Sequence, residues 1–150
     1  MITQTTETFI SIRKKILIND ELLAEMLSVH IGTLWKWIAR QRNVSRKRLE
    51  KMVIKYYKFL DDLERGFRGK TALEYIYDVT SVLGIINIVQ RVAVSEDAEE
   101  KLRRRYRQHE NNYDRANELI FAGNLIIMIR KIKQDFARNN TCRKILVNII

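Results

Sequence analysis

The chain has 150 residues, 46% hydrophobic and 31% charged, so it can bury a core and is not a disordered tail. It contains no proline and five glycines, which argues against an all-β protein because β-turns depend on these residues. A formal net charge of +10 favours an anionic partner, with nucleic acid ahead of an acidic membrane surface.

The positive charge is concentrated in the first half of the chain. Residues 1–70 contain 15 Lys and Arg against 8 Asp and Glu, whereas residues 71–150 contain 13 against 10. The single cysteine, Cys142, excludes an internal disulfide and a cysteine metal cluster. The N-terminus lacks the residue order of a signal peptide, and the most apolar run, residues 79–94, is too short and too polar to cross a bilayer. We therefore expect a cytoplasmic protein without membrane contact.

Apolar residues recur at helical spacing along most of the chain. In the first half they predict helices over about 6–17, 20–27 and 31–41, and a fourth that starts after the N-cap candidate Ser45 and ends near Gly66. In the second half they predict helices over about 71–92, 97–111 and 113–138, and leave residues 141–150 ambiguous between a short helix and a strand. The fold class is all-α, with a domain over residues 1–66 and a helical oligomerisation or effector domain over residues 71–150.

Residues 20–39 have the spacing of a helix-turn-helix. Ala24 is a small residue inside the first helix, where the second helix must cross closely, and the turn falls at Ser28. Trp37 faces inward with Leu34, one helical turn away, so Trp35 cannot share the core with it. The predicted core of the motif consists of Leu23, Ala24, Val29, Leu34 and Trp37.

The opposite face of the second helix would be free to meet DNA. It presents Gly32, Trp35, Lys36 and Ala39, and Lys36 can reach a phosphate or a guanine edge. Basic residues then crowd the end of this helix, the loop and the start of the next helix, where they suit phosphate contacts. These basic residues are Arg40, Arg42, Arg46, Lys47 and Arg48.

Residues 6–63 resemble the Cro/repressor-type (Xre-like) helix-turn-helix family. The matching residues are Leu23-Ala24, Val29, Thr33-Leu34, Trp37 and the loop ARQRNVS over residues 39–45. The resemblance implies a compact helical DNA-binding domain, usually dimeric, with base-reading positions at His30, Gly32, Trp35 and Lys36. Together with Thr33, Arg40, Arg42, Arg46 and Lys47, these are the predicted DNA-binding residues.

Three positions depart from the family pattern. Ser28 stands where glycine is usual, which demands a left-handed or adjusted backbone at a cost of about 1 kcal/mol. Asp20 stands where a phosphate-contacting Gln is frequent, and its carboxylate would repel a phosphate. Because Gly32 and Ala39 offer no side-chain hydrogen bonds, we expect sequence specificity to be modest or based on DNA shape.

Other signals favour ordinary structural roles. GFRGKT, residues 66–71, lacks the spacing of a P-loop and the strands of a KH module, so it is interpreted as a helix end and linker. His109, Glu110 and Asp114 are interpreted as a solvated helix face rather than a metal site, and Cys142 lacks a histidine partner. The carboxylates Asp61, Asp62 and Glu64 are likewise interpreted as surface residues. A cluster of arginines is interpreted as basic residues late in a helix, where they match the helix dipole; they are Arg103, Arg104, Arg105 and Arg107.

The sequence therefore predicts a double-stranded DNA-binding protein, without catalysis, metal or cofactor. It would be a transcriptional regulator of the phage or mobile-element repressor type, acting as a homodimer through residues 71–138. Two alternatives remain open: a DNA-packaging or recombination accessory protein that forms a higher oligomer, and a module or inhibitor that binds an unidentified protein through Trp35.

Overall fold

The computed structural model describes residues 1–83 and 115–148, and within these ranges the regular structure is entirely helical. The predicted all-α fold is therefore confirmed for the described part of the chain. The polar helix predicted over about 97–111 lies outside it. The helices are α1 (Gln4–Arg13), α2 (Asp20–Met26), α3 (Ile31–Ile38), α4 (Arg46–Arg65), a 3₁₀ helix (Gly66–Gly69), α5 (Ala72–Leu83), α6 (Arg115–Arg138) and α7 (Asn140–Val147).

The first helix ends at Arg13, earlier than the predicted residue 17. The Arg13 guanidinium donates hydrogen bonds to the carbonyls of Ile16 (3.1 Å) and Ile18 (3.0 Å), which lie beyond the helix. Ile16 and Ile18 are buried nevertheless. The apolar stripe that suggested a longer helix therefore continues into a non-helical segment that still contributes to the core.

The chain end that the sequence left ambiguous is helical. Asn139 is the N-cap of α7, and its side-chain oxygen accepts a hydrogen bond from the amide of Cys142 at 3.2 Å. Cys142, Ile145 and Leu146 are buried on one side of this helix. The spacing of these apolar residues at three and four positions is the helical one.

The chain divides into two compact units. The first comprises Met1–Leu60 together with Lys133–Ile150. Tyr56 on α4 packs edge-to-face against Phe136 on α6, with ring centroids 4.9 Å apart, and its hydroxyl accepts a hydrogen bond from the amide of Leu17 at 3.2 Å. Residues 133–150, which were predicted to belong to a second domain over 71–150, are therefore grouped with the first unit by their packing.

The second unit comprises Asp61–Ile132. Its described core contains Tyr75, which packs edge-to-face on Phe67 at 5.4 Å between ring centroids. Arg130 donates a 2.6 Å hydrogen bond to Glu64. Several large apolar side chains on its helices are exposed, namely Tyr77, Val82, Leu119, Ile120 and Ile127. None of the described helices is both long enough and apolar enough to span a bilayer.

Candidate nucleic-acid interface

The candidate site is built on α2 and α3, two short helices joined by residues 27–30. Their shared interior contains Leu23, Ala24 and Leu34, each at most 3% exposed, and Trp37, which is 5% exposed. Val29, predicted to be part of the same core, is half-buried. The burial of Ala24 is consistent with the need for a small residue where two helices approach closely.

Both helices end in the same hydrogen-bonded motif with a left-handed residue. At the end of α2, Ser28 has φ 55°, and the amides of Ser28 and Val29 each donate a 3.0 Å bond, to the carbonyls of Glu25 and Ala24 respectively. This is a Schellman motif, which satisfies carbonyls that the helix leaves free. Of the left-handed or adjusted backbone expected at residue 28, where glycine is usual, the left-handed one is present, and for serine it costs about 1 kcal/mol.

The end of α3 repeats this arrangement around Arg40, whose φ is 61°. The Arg40 amide donates to the carbonyl of Trp37 (3.1 Å), and the Gln41 amide donates to that of Lys36 (2.8 Å). This second left-handed residue was not predicted from the sequence. It ends α3 at Ile38 and turns the chain sharply into the loop that contains Arg42.

The two tryptophans of α3 have opposite environments. The Trp37 ring packs edge-to-face on Phe9 of α1, with centroids 5.6 Å apart, and the Arg48 guanidinium lies 5.8 Å from its centre. Trp35 is 53% exposed, and its indole N–H donates a 3.3 Å hydrogen bond to Oδ2 of Asp20. Trp37 therefore attaches α3 to the core, and Trp35 lies on the solvent side.

Asp20 does not present a free carboxylate. Its Oδ1 accepts hydrogen bonds from Nε and Nη2 of Arg13 at 3.0 and 2.6 Å. The expected repulsion between this carboxylate and a phosphate is a property of Asp20 without a cationic partner. The ion pair with Arg13 offsets the negative charge of Asp20. No sequence pattern indicated this pair, because Arg13 lies seven positions earlier and on another helix.

His30 and Gly32, both predicted to read bases, are joined by a hydrogen bond. His30 is the N-cap of α3, and its Nδ1 accepts a hydrogen bond from the Gly32 amide at 3.0 Å. A Cβ at position 32 would lie 3.1 Å from that Nδ1, tighter than an ordinary contact. Thr33, the next predicted contact residue, is half-buried. The start of α3 is therefore a compact cap, in which the absent side chain of Gly32 makes room for the imidazole.

Three of the basic residues near α3 are already engaged by protein groups. Arg40 donates two hydrogen bonds to the carboxylate of Glu7, at 2.7 and 3.0 Å. These bonds lower the pKa of Glu7 and raise that of Arg40. Arg46 pairs with Glu50 at 3.3 Å, and Arg48 donates to the carbonyl of Leu27 at 3.1 Å. Arg40 and Arg48 therefore connect different helices of the unit, whereas Arg46 pairs within α4.

Three other residues that were predicted to contact DNA are exposed, and no salt bridge joins them to a carboxylate in the described ranges. They are Lys36, Arg42 and Lys47. The sequence between Glu25 and Glu50 contains six Lys and Arg and no Asp or Glu. The surface around α3 and the following loop is consequently rich in uncompensated positive charge.

The loop between α3 and α4 is fastened to the N-terminus of the chain. Asn43 Oδ1 accepts hydrogen bonds from the Thr3 amide (3.0 Å) and the Thr6 hydroxyl (3.1 Å), and its Nδ2 donates to the carbonyl of Met1 (3.0 Å). The fully buried Thr6 hydroxyl also accepts from the amide of Val44 at 2.9 Å. This network, which no sequence pattern indicated, fixes the loop that presents Arg42.

Of the residues that the sequence assigned to ordinary structural roles, some lie within the described ranges and others lie outside them. Asp61 pairs with Arg65 at 3.1 Å, Glu64 pairs with Arg130, and Lys70 of the glycine-bearing segment pairs with Asp78. Cys142 is fully buried. His109, Glu110, Asp114 and the Arg103–Arg107 cluster lie outside the described residues. Within the described ranges, no group of three His, Cys, Asp or Glu residues is placed to hold a metal ion.

Comparison of the chain with protein-family models, curated proteins and solved structures finds no match.

Proposed function

We propose that this chain binds double-stranded DNA through the exposed face of α3 and the loop that follows it. The observation that supports this most strongly is the set of three exposed cations, Lys36, Arg42 and Lys47, beside the exposed ring of Trp35. Protein carboxylates compensate the neighbouring Arg40 and Arg46 but not these three. Exposed uncompensated cations on one short stretch suit a row of phosphates.

The binding mechanism has two parts. Attraction between the cations and DNA phosphates supplies affinity that does not depend on sequence and that weakens steeply with salt. Insertion of α3 into the major groove, which is about 12 Å wide, supplies whatever preference for sequence the protein has. The contacts of Trp37 and the cap at His30 hold α3 in a fixed position. Binding would therefore cost little conformational entropy in this helix.

A helix-turn-helix protein of this kind would act as a transcriptional regulator, and we propose that two copies pair so that their α3 helices meet successive turns of DNA. The exposed apolar side chains Val82, Leu119, Ile120 and Ile127 in the second unit support pairing there. Light scattering at tens of micromolar protein would give the mass of a dimer. A monomer would contradict the pairing, and a larger ring would favour the packaging or recombination role.

A second function is favoured by one observation, the 53% exposure of Trp35. Exposed tryptophans are frequent hot spots in protein–protein interfaces, so the same face could bind an acidic protein surface. The two functions differ in whether a DNA duplex of mixed sequence is bound, because attraction to phosphates does not depend on sequence, whereas a hot spot specific for protein does not bind DNA.

The test is fluorescence anisotropy of a labelled mixed-sequence duplex of about 20 base pairs at about 50 mM salt. Lys47→Ala should weaken binding severalfold, since it removes an exposed cation at the start of α4. Lys58→Ala is the matched control, because Lys58 is exposed on the same helix about 16 Å further along its axis. Equal affinities for wild type and both variants, or no binding at all, would overturn the proposed function.

A further inference from the structure

The exposed side of α3 has few hydrogen-bonding groups with which to recognise bases. Gly32 and Ala39 have no polar side-chain atoms, and Thr33 is half-buried. Lys36 is the remaining charged donor in this helix. The indole N–H of Trp35 would be another donor, but it is already bonded to Asp20. Recognition by side-chain hydrogen bonds would therefore rest almost entirely on one flexible lysine.

The hydrogen bond from Trp35 fixes the orientation of its ring. Asp20 is itself held by two bonds from Arg13, and Arg13 is held by the carbonyls of Ile16 and Ile18. This chain of contacts connects the indole to the start of α2 through groups that are at most partly exposed. Because its N–H is bonded to Asp20, the exposed indole offers no free hydrogen-bond donor, and the other atoms of the ring system are apolar.

We propose that Asp20 positions Trp35 so that the indole recognises the 5-methyl group of thymine by apolar contact in the major groove. This inference rests on the proposed DNA-binding function and names the base that the site prefers. The thymine methyl is the apolar group on the major-groove edges of the base pairs, so an indole without a free N–H is complementary to it. Because Arg13 neutralises Asp20, the carboxylate can stand beside the groove with little repulsion of phosphates.

The experiment compares two duplexes that differ only in this methyl group. One contains alternating A·T and G·C pairs, and in the other every thymine is replaced by deoxyuridine. Loss of each contacted methyl should weaken binding of the wild type about fourfold, the cost of exposing one buried methyl group. The thymine-to-deoxyuridine affinity ratio of Trp35→Ala should be close to one, and any departure from one measures the effect of deoxyuridine on DNA shape, by which the wild-type ratio is then corrected.

Variants of Asp20 separate positioning from charge. Asp20→Ala removes the acceptor for the indole N–H and should reduce the thymine-to-deoxyuridine affinity ratio towards one. Asp20→Asn keeps a side-chain oxygen that can accept the same bond, and should restore most of the ratio. Glu21→Gln, on the exposed neighbour, is the matched control for loss of one negative charge. It should change both affinities equally and leave the ratio unchanged, and thermal melts will show that each variant is folded.

The outcomes distinguish this inference from the function on which it depends. Binding of both duplexes by the wild type with equal affinity would overturn the thymine contact and leave DNA binding in place. An unchanged ratio in Asp20→Ala would overturn the positioning role. Absence of binding to either duplex would overturn the proposed function, and this inference with it.

Discussion

The amide of Gly32 donates a 3.0 Å hydrogen bond to Nδ1 of His30, and a Cβ on residue 32 would stand 3.1 Å from the same nitrogen. The cap of α3 thus depends on both the imidazole of His30 and the absence of a side chain at Gly32. The imidazole takes the place of the Ser, Thr, Asp or Asn oxygen that more often caps a helix. Glycine, an unfavourable residue inside helices, is tolerated here because it leaves space for the ring.

The cap predicts an energetic coupling between these two positions. His30→Ala should lower the free energy of unfolding by about 1 kcal/mol, the usual cost of losing an N-cap. Gly32→Ala should be neutral or destabilising in the wild type, because its new methyl displaces the imidazole. In the His30→Ala background the same change should stabilise by about 0.5–1 kcal/mol, the gain in helix propensity. Urea unfolding followed by circular dichroism measures all four proteins.

His30→Asn is the control for this prediction, since asparagine caps helices with its amide oxygen and should retain most of the stability. Strict additivity of the two alanine substitutions would show that residues 30 and 32 do not interact.

The C-terminal residues should be needed for the stability of the N-terminal unit. Phe136 is 4% exposed and packs on Tyr56, so Phe136→Ala should destabilise this unit by about 3 kcal/mol. Val147→Ala, at a side chain that is 65% exposed, should change stability by less than about 0.5 kcal/mol. Thermal and urea unfolding provide the comparison. Equal effects of the two substitutions, or a fragment 1–66 as stable as the whole chain, would contradict this packing.

The parts of the fold that the sequence predicted are those set by local spacing. The opposite sides taken by Trp35 and Trp37 follow from the helical rotation of about 100° per residue. The turn after α2 falls at Ser28, as the spacing from Ala24 predicts, and Ser28 adopts the left-handed backbone for which glycine is usual at this position. Helix periodicity needs no knowledge of tertiary contacts, which is why most helix positions were predictable.

The parts that the sequence did not predict depend on contacts between distant residues. The sequence alone gives no partner for the Asp20 carboxylate, because Arg13 belongs to another helix. Arg40 was evaluated as a phosphate ligand, although Glu7 of α1 binds it. The grouping of residues 133–150 with the first unit depends on the contact of Phe136 with Tyr56. In each case the type of residue was informative, but its partner was fixed by the fold.

Glu7 should restrain the DNA affinity of the loop by occupying Arg40. Glu7→Gln removes the charge that holds the guanidinium and should raise duplex affinity severalfold. It should also steepen the slope of log affinity against log salt by about 0.9, the value for one additional phosphate contact. Anisotropy titrations over a range of salt measure both quantities. Thr6 and Asn43 still fasten the loop in this variant.

Asp62→Asn is the matched control for Glu7→Gln, since it removes an exposed carboxylate of α4 without releasing a loop arginine. An equal rise in affinity for both variants would assign the effect to net charge alone and contradict a specific role of Arg40.

Cys142 should be unreactive in the folded protein. Burial raises the pKa of its thiol from 9.0 to about 11, so the folded state retains the proton over a pH range in which the unfolded state loses it. Its contribution to stability should therefore decline as pH rises from 9 towards 11. Labelling with a thiol-reactive disulfide at pH 8 should be at least about tenfold slower than in denaturant. Equal labelling rates in the two conditions would contradict the burial.

The most direct test of the account is the salt dependence of duplex binding by the wild type and by the double variant Lys36→Ala, Arg42→Ala. Both residues are exposed, so the double variant should fold like the wild type. If both cations contact phosphates, its slope of log affinity against log salt should be shallower by about 1.8, and its affinity at low salt lower by at least about tenfold. Binding that is absent at about 50 mM salt, or a slope that the double variant leaves unchanged, would contradict the proposal that α3 and its loop bind DNA.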